Sequence, residues 1–165
     1  MADQAGDADA SDGRQESANQ KADRNWAEIL QELRVSQTGT QILSGFLLTV
    51  AFQPRFTQLD TYQVVVYAVL VVLAAVSTAL GLATVALHRA RFRQHDKPRL
   101  VSVASRLLGV TVITVAVLTT GVLLLIFDVV LGRSAGLIAG VVAALVMVVL
   151  LVFIPSSVKP GRRAR

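Results

Sequence analysis

The sequence contains no cysteine, and only 5% of its residues are aromatic. Without thiols the chain has no disulfide framework, no thiolate metal site and no palmitoyl acceptor. Charge is also missing over long distances, because four runs contain no Asp, Glu, Lys or Arg: 35–54, 61–87, 107–127 and 134–158. These runs consist mainly of apolar residues, and about 20 such residues in a helix cross the hydrocarbon of a bilayer. The sequence therefore predicts an all-α membrane protein.

The basic residues predict the orientation of this protein. Fourteen of the sixteen Lys and Arg residues lie before the first run, between the second and third runs, or after the fourth. Because Lys and Arg near helix ends stay on the cytoplasmic side, we expect both termini and the middle connection to be cytoplasmic, in the plasma membrane. The other two connections are short and contain only Arg55 and Arg133. The predicted fold is a four-transmembrane-helix bundle of two antiparallel hairpins, with spans at about 36–53, 62–87, 105–127 and 135–154.

The net charge of +5 does not indicate nucleic acid binding, because the basic residues cluster at the ends of the apolar runs. We expect the lipid bilayer as a partner, with a second copy of the chain or another membrane protein beside it. The basic connection 88–106 could hold anionic lipid headgroups, but topology alone explains its charge.

Three segments flank the spans in this prediction. Residues 1–24 are acidic and, apart from Met1, have alanine as their only apolar residue, which predicts a disordered tail. Residues 25–35 predict an interfacial amphipathic helix, with Asn25 and Glu28 as a capping box and Trp26 as a membrane anchor. This segment could instead dock a cytoplasmic partner. Residues 157–165 form a basic cytoplasmic tail, and 36–156 form the transmembrane domain.

The first run contains a polar stripe, with Arg34, Thr38, Gln41, Gly45 and Thr49 spaced by three or four residues. Because an amide in lipid needs a hydrogen-bonding partner, we expect this stripe to face the interior of the bundle. The stripe could be part of a hydrophilic pathway. It could instead form hydrogen bonds with neighbouring helices and allow them to pack closely. The second interpretation uses polar and small residues as membrane proteins commonly do.

Asp128 directly follows the charge-free third run, near the outer interface. A carboxylate at the C-terminal end of a helix is disfavoured by the helix dipole, so we expect it to need a partner, with Arg133 as the nearest candidate. An acid near a membrane also suggests a proton or cation ligand. The candidate ion or polar pathway therefore consists of four residues: Asp128, Gln41, Thr38 and Arg34.

Small residues predict the places where helices pack closely. Gly136 and Gly140 form a G-x-x-x-G motif, and Ser77 and Gly81 form a similar pair. The predicted packing positions are Gly45, Ser77, Gly81, Gly136 and Gly140. The two histidines have no nearby cluster of acids, and no phosphate loop or catalytic motif occurs. We therefore predict no metal site, no cofactor, no catalytic residues and no enzymatic activity.

Several short motifs resemble a family of small actinobacterial membrane proteins that is defined by a domain of unknown function. The motifs extend over Asn25–Leu59 and continue more loosely to Ile154, and they comprise Asn25-Trp26, Glu32-Leu33-Arg34-Val35, Gln37-Thr38-Gly39, Gln41-Ile42-Leu43, Phe46-Leu47-Leu48, Phe52-Gln53, Arg55-Phe56 and Leu59. The resemblance implies four membrane helices and a plasma-membrane location, without an established activity. Some relatives are labelled sodium:proton antiporters.

Two functions remain open at this point. A structural or regulatory membrane protein acting through helix, protein or lipid contacts fits a small bundle with an amphipathic segment. A sodium/proton antiporter, or a subunit of one, commonly uses acids near the membrane midplane and broken helices. The charge-free runs contain no acid, and all four prolines lie at or beyond their ends. These features favour the contact function.

Overall fold

The computed structural model describes residues 17–91 and 97–157, and all regular elements in these residues are helical. The long helices are α1 (Ala18–Val50), α2 (Thr61–Arg91), α3 (Lys97–Leu131) and α4 (Arg133–Val148). A short 3₁₀ helix, Pro54–Gln58, lies between α1 and α2. After α4 the chain continues through a π-helical segment, Val149–Phe153, into α5 (Ile154–Ser157).

Helix α1 begins earlier than the sequence analysis predicted. Ser17 and Gln20 form a capping box, in which the Ser17 N–H donates to Gln20 Oε1 at 2.8 Å and the Gln20 N–H donates to Ser17 Oγ at 3.4 Å. Asn25 is therefore inside the helix, and Glu28 forms an ion pair of 3.1 Å with Arg24 instead of a cap. Residues 18–24 are helical, so the prediction of a disordered tail was wrong for them. Residues 1–16 lie outside the described residues.

The end of α3 and the start of α4 are separated by one residue. Gly132 has a φ of +94°, a left-handed conformation that glycine adopts without steric cost. Its N–H donates to the Asp128 carbonyl at 2.9 Å, and its own carbonyl accepts the Gly136 N–H at 3.1 Å. A single glycine thus ends one helix and begins the next, which makes this connection shorter than predicted.

The helical stretch that begins with α4 continues past Pro155. The π-helical segment leads into α5, which contains Pro155, so this proline lies within a helical stretch that was predicted to end at about 154. Because proline lacks an N–H and its ring crowds the preceding turn, a wider π turn just before it accommodates the ring. The remaining C-terminal residues, 158–165, lie outside the described part of the chain, as do 92–96 in the basic connection.

Three helical stretches among the described residues are long and apolar enough to cross a membrane: Thr61–Leu87, Val101–Leu131 and Arg133–Ser157. Many of their large aliphatic side chains are exposed, as expected for helices surrounded by lipid. The chain is thus an all-helical protein compatible with a membrane. Helix α1 does not belong to this set, because polar residues lower its mean hydropathy.

The described residues divide into two compact units. The first unit comprises the chain up to Ile42 together with Ala75–Ile113. Its core is formed by α1 and α3 and contains five buried side chains: Trp26, Ile29, Leu33, Ala104 and Leu108. The segment predicted to lie at the membrane interface therefore packs against α3, because its apolar side chains follow one helix face. Elsewhere in this unit, Thr40 and Ser77 form a buried hydroxyl contact of 3.2 Å between α1 and α2.

The second unit comprises Leu43–Ala74 together with the chain from Thr114 onward. Its core contains six buried side chains from α1, α2 and α3: Leu47, Leu70, Ala74, Leu118, Val122 and Leu125. The Tyr67 hydroxyl donates to the Leu47 carbonyl at 3.0 Å, and the Tyr67 ring meets Phe56 edge-on with centroids 5.0 Å apart. The ring contact packs the 3₁₀ helix against α2, and the hydrogen bond joins α2 to α1.

Candidate functional site

Asp128 lies one turn before the end of α3, and its side chain is only 1% exposed. The burial follows from α3 geometry, because Asp128 lies three residues beyond Leu125, a core residue of the second unit, on the same face of the helix. Four further residues of this unit surround the carboxylate or its partners: Asp60, Tyr62, Gln63 and Arg133. We call these five residues the Asp128 cluster.

Gln63 connects the start of α2 to this carboxylate. Asp60 and Gln63 form a capping box, in which the Gln63 N–H donates to Asp60 Oδ1 at 2.8 Å and the Asp60 N–H donates to Gln63 Oε1 at 3.0 Å. The side-chain nitrogen of Gln63, Nε2, donates to Asp128 Oδ1 at 2.6 Å. One glutamine therefore caps α2 and satisfies half of a buried carboxylate on α3.

Arg133, the first residue of α4, contacts three members of the cluster. Its Nη2 donates to Asp60 Oδ2 at 2.6 Å, and its Nε lies 2.9 Å from Asp128 Oδ2. The guanidinium also stacks over the Tyr62 ring, 3.6 Å from the centroid, in a cation–π contact. A single cation thus joins the beginnings of α2 and α4 to the end of α3.

The two carboxylates of the cluster have different surroundings. Asp60 is half exposed, and the Gln63 backbone N–H lowers its pKa below the ordinary value. The charge of Arg133 acts in the same direction, whereas desolvation opposes both. Asp128 is buried, and its Oδ2 accepts no hydrogen bond from the described residues because the Arg133 contact is an ion pair without hydrogen-bond geometry.

Two glycines bring α4 close to α3 beside the cluster. A Cβ on Gly136 would lie 2.6 Å from Asp128 Cβ and 2.9 Å from Asp128 Cα. One turn further on, a Cβ on Gly140 would lie 2.9 Å from Leu124 Cδ1. The G-x-x-x-G motif therefore packs the α3–α4 hairpin within a single chain, and it positions Asp128 against the α4 backbone.

The other predicted packing positions differ from one another. In the first unit, Ser77 contacts Thr40, and Gly81 lies directly against the Gln37 side chain. Gly45 has no heavy atom within 4 Å of the place where a Cβ would lie. None of the described residues therefore packs closely against Gly45, where a close helix contact was predicted.

The predicted orientation of the α1 polar stripe was wrong. Arg34, Thr38 and Gln41 are exposed in the first unit, and Gly45 and Thr49 are exposed in the second. The opposite face of α1 carries the larger apolar side chains, including Trp26 and Leu33, and their burial determines which face turns inward. Of the four predicted pathway residues, Asp128 belongs to the buried cluster of the second unit, whereas the other three are exposed residues of the first unit.

The cluster contains three residues that the sequence analysis did not identify: Asp60, Tyr62 and Gln63. The pattern Asp60-x-x-Gln63 before an apolar run is a capping-box signal, which could have identified two of them. Within the described part of the chain, no three His, Asp or Glu side chains come close enough together to hold a metal ion. Chemically, the cluster is a charged clamp that joins three helix ends.

The comparisons with known proteins give one match. No curated protein and no solved structure matches the chain. A family model described as a family of unknown function, DUF6328, matches residues 15–155. This match includes the Asp128 cluster, α1 and almost all of the last helical stretch, so the chain belongs to the family of unknown function DUF6328.

Proposed function

We propose that the chain is a plasma-membrane protein that crosses the bilayer four times, with both termini cytoplasmic, and that acts through contacts with other membrane components. In this proposal it is neither an enzyme nor an ion carrier. The three apolar stretches provide three crossings. The placement of fourteen basic residues on one side of four crossings supports an even number of spans and the cytoplasmic termini.

Helix α1 is the fourth crossing in this proposal. In the first unit, its residues Trp26 and Leu33 pack with Leu108 of α3. In the second unit, its residue Leu47 packs with Leu118 of α3. Because α1 accompanies an apolar helix in each unit, its charge-free part is expected to share the same lipid surroundings. That part includes 16 helical residues, Val35–Val50, or about 24 Å of helix.

The observation that favours contact over transport is the Asp128 cluster. A carboxylate that carries ions must exchange its ligands, but Asp128 is held by Gln63, and Arg133 already provides its counter-charge. The buried threonines in the first unit also have local partners, since Thr84 and Thr111 donate to carbonyls one turn earlier in their own helices. The buried polar groups therefore stabilise helices and helix ends.

A sodium/proton antiporter is the second candidate, and one observation favours it. The buried Oδ2 atom of Asp128 accepts no hydrogen bond from a described residue. This oxygen could receive a proton or a sodium ion if Arg133 moved away, and Arg133 is partly exposed.

Liposomes distinguish the two candidates. The purified protein is reconstituted, a pH gradient is imposed, and a pH-sensitive dye reports its collapse after sodium is added. The contact function predicts the same slow collapse as in protein-free liposomes. Sodium-dependent collapse that is abolished by Asp128→Asn and retained by Asp60→Asn would establish the antiporter instead, because Asp60 is the exposed carboxylate of the same cluster.

A further inference from the structure

The exposed side of α1 has two parallel stripes of different chemistry. The polar stripe consists of Arg34, Thr38, Gln41, Gly45 and Thr49, all of which are exposed. About a quarter turn away lies an apolar stripe of Val35, Ile42 and Phe46. Val35 is 68% exposed and Ile42 is 69% exposed, and the polar stripe is exposed as well, so the described residues cover neither stripe. The apolar stripe suits lipid, whereas the polar stripe does not.

The two threonines of the stripe have hydrogen-bonding partners within α1, whereas Gln41 does not. The Thr38 hydroxyl donates to the Arg34 carbonyl at 3.0 Å, and the Thr49 hydroxyl donates to the Gly45 carbonyl at 2.9 Å. No described residue forms a hydrogen bond with the Gln41 side chain, which is exposed. This carboxamide therefore presents two donors and an acceptor to its surroundings.

The depth of Gln41 makes this exposure costly in a bilayer. Gln41 lies seven residues beyond Arg34, or about 10 Å along the helix into the charge-free run. An amide in hydrocarbon without a hydrogen bond is unfavourable by several kcal/mol. In the membrane, the polar stripe must therefore be covered by something that can both donate and accept a hydrogen bond at this depth.

We propose that a second copy of the chain covers this stripe, in a parallel dimer that packs α1 against α1. This inference rests on the proposed function, because it requires α1 to cross the membrane. Two copies inserted in the same direction are related by a twofold axis along the membrane normal, which places the same residues opposite each other. Gln41 of each copy then finds a donor and an acceptor at its own depth.

Two further observations fit a second copy. Gly45 lies one turn from Gln41, and a Cβ there would meet nothing within 4 Å, so the helix surface beside the amide is open to close approach. The stripe contains no charge from Val35 to Pro54, so two identical stripes do not repel each other within the hydrocarbon. Arg34 lies at the end of the stripe, where its guanidinium reaches the headgroups and water.

Disulfide crosslinking in membranes tests the dimer directly, because the chain has no cysteine of its own. Thr38→Cys and Gly45→Cys place a thiol on the polar stripe, and Val35→Cys and Ile42→Cys place one at similar depths on the apolar stripe. Disulfides require Cβ atoms about 4 Å apart. We expect at least about fivefold more crosslinked dimer from the polar stripe than from the apolar stripe. Equal yields from both stripes, or no dimer from either, would overturn the proposal.

Substitution of Gln41 tests the role of the amide. In the Thr38→Cys background, Gln41→Leu is expected to weaken dimerisation about tenfold, whereas Gln41→Asn retains most of it, since two symmetric amide hydrogen bonds are lost only in the first variant. Gln41 is exposed in the single chain, so both variants should fold, which circular dichroism verifies. Undiminished dimerisation of Gln41→Leu would contradict the proposed interface.

The failure of the dimer and the failure of the proposed function give different results. If the stripe cysteines crosslink to a different membrane protein and not to each other, the second copy is wrong and the contact function stands. If Gln41→Cys reacts rapidly with a membrane-impermeant maleimide in membranes, α1 is in water, which overturns the fourth crossing and the dimer together. Sodium-dependent collapse of a pH gradient overturns only the contact function.

Discussion

At the scale of single residues, the polar side chains that organise the second unit lie at helix ends. The sequence analysis predicted the pairing of Asp128 with Arg133, because both residues lie in one short connection, and the structure places them 2.9 Å apart. It did not predict Gln63 as the second partner of Asp128. That contact joins residues 65 positions apart, and only the packing of α2 beside α3 brings them together.

The Asp60 carboxylate gives the cluster a defined dependence on pH. Its pKa is lowered in the folded chain, first by the Gln63 N–H and then by Arg133. A lowered pKa stabilises the fold at pH values above the ordinary value, and the stabilisation is lost as the pH falls through the lower folded value. We therefore expect thermal stability in detergent to fall as the pH is lowered from about 5 through the lowered folded pKa of Asp60, and to fall less in Asp60→Asn.

A matched control separates Asp60 from general acid effects. Glu32→Gln removes an exposed carboxylate on α1 and should leave the slope of stability against pH close to that of the unmodified chain. The effect of Asp60 is expected to be modest, because half-exposed ion pairs are screened by water. A slope in Asp60→Asn as steep as in the unmodified chain would show that this contact does not contribute to stability.

At the scale of elements, the charge-free runs predicted the approximate positions of the helices. They were less successful in predicting where each helix ends and which of its faces is buried. Helix α1 begins at the Ser17 and Gln20 capping box, although Asn25 and Glu28 show the same kind of pattern. Both patterns fit the start of a helix. Of these two pairs, only Ser17 and Gln20 form a capping box, because the helix extends past Asn25 to Ala18. The polar stripe was expected to face inward because polar groups avoid lipid. Instead, the opposite face of α1 turns inward, where Trp26, Leu33 and Leu47 are buried.

The α3–α4 hairpin depends on the absence of a side chain at Gly136. An alanine there would place its Cβ 2.6 Å from Asp128 Cβ, so α4 would have to move away from α3. We expect Gly136→Ala to lower the free energy of unfolding by about 1–3 kcal/mol, measured by denaturant titration in mixed micelles. The movement would also loosen the contact between Asp128 and Arg133.

Gly109→Ala is the matched control on α3. A Cβ at Gly109 would meet nothing within 4 Å, and alanine favours a helix over glycine by about 0.5–1 kcal/mol. Stability is therefore expected to remain unchanged or to rise slightly. If both variants were equally stable, the close approach at Gly136 would not be important for the hairpin.

At the scale of the whole molecule, composition predicted an all-helical membrane protein, and three helical stretches of the structure are long and apolar enough to cross a bilayer. The fourth crossing cannot be inferred from apolarity, because α1 mixes Gln37, Thr38 and Gln41 with its apolar residues. The proposed membrane location of α1 depends on what covers its polar stripe, which the described residues of one chain leave exposed. Topology is therefore the property that most directly tests the proposal.

Three glutamines distributed along the chain test the number and direction of crossings. In intact cells, Gln58→Cys, between α1 and α2, should react with a membrane-impermeant maleimide. Gln4→Cys and Gln94→Cys should react only after the membrane is permeabilised. Gln4 lies in the N-terminal segment and Gln94 in the basic connection, and both segments are predicted to be cytoplasmic. The native chain contributes no background because it has no cysteine. If Gln4→Cys and Gln58→Cys reacted from the same side, α1 would not cross the membrane. If Gln4→Cys and Gln94→Cys reacted in intact cells and Gln58→Cys did not, the four crossings would be inverted.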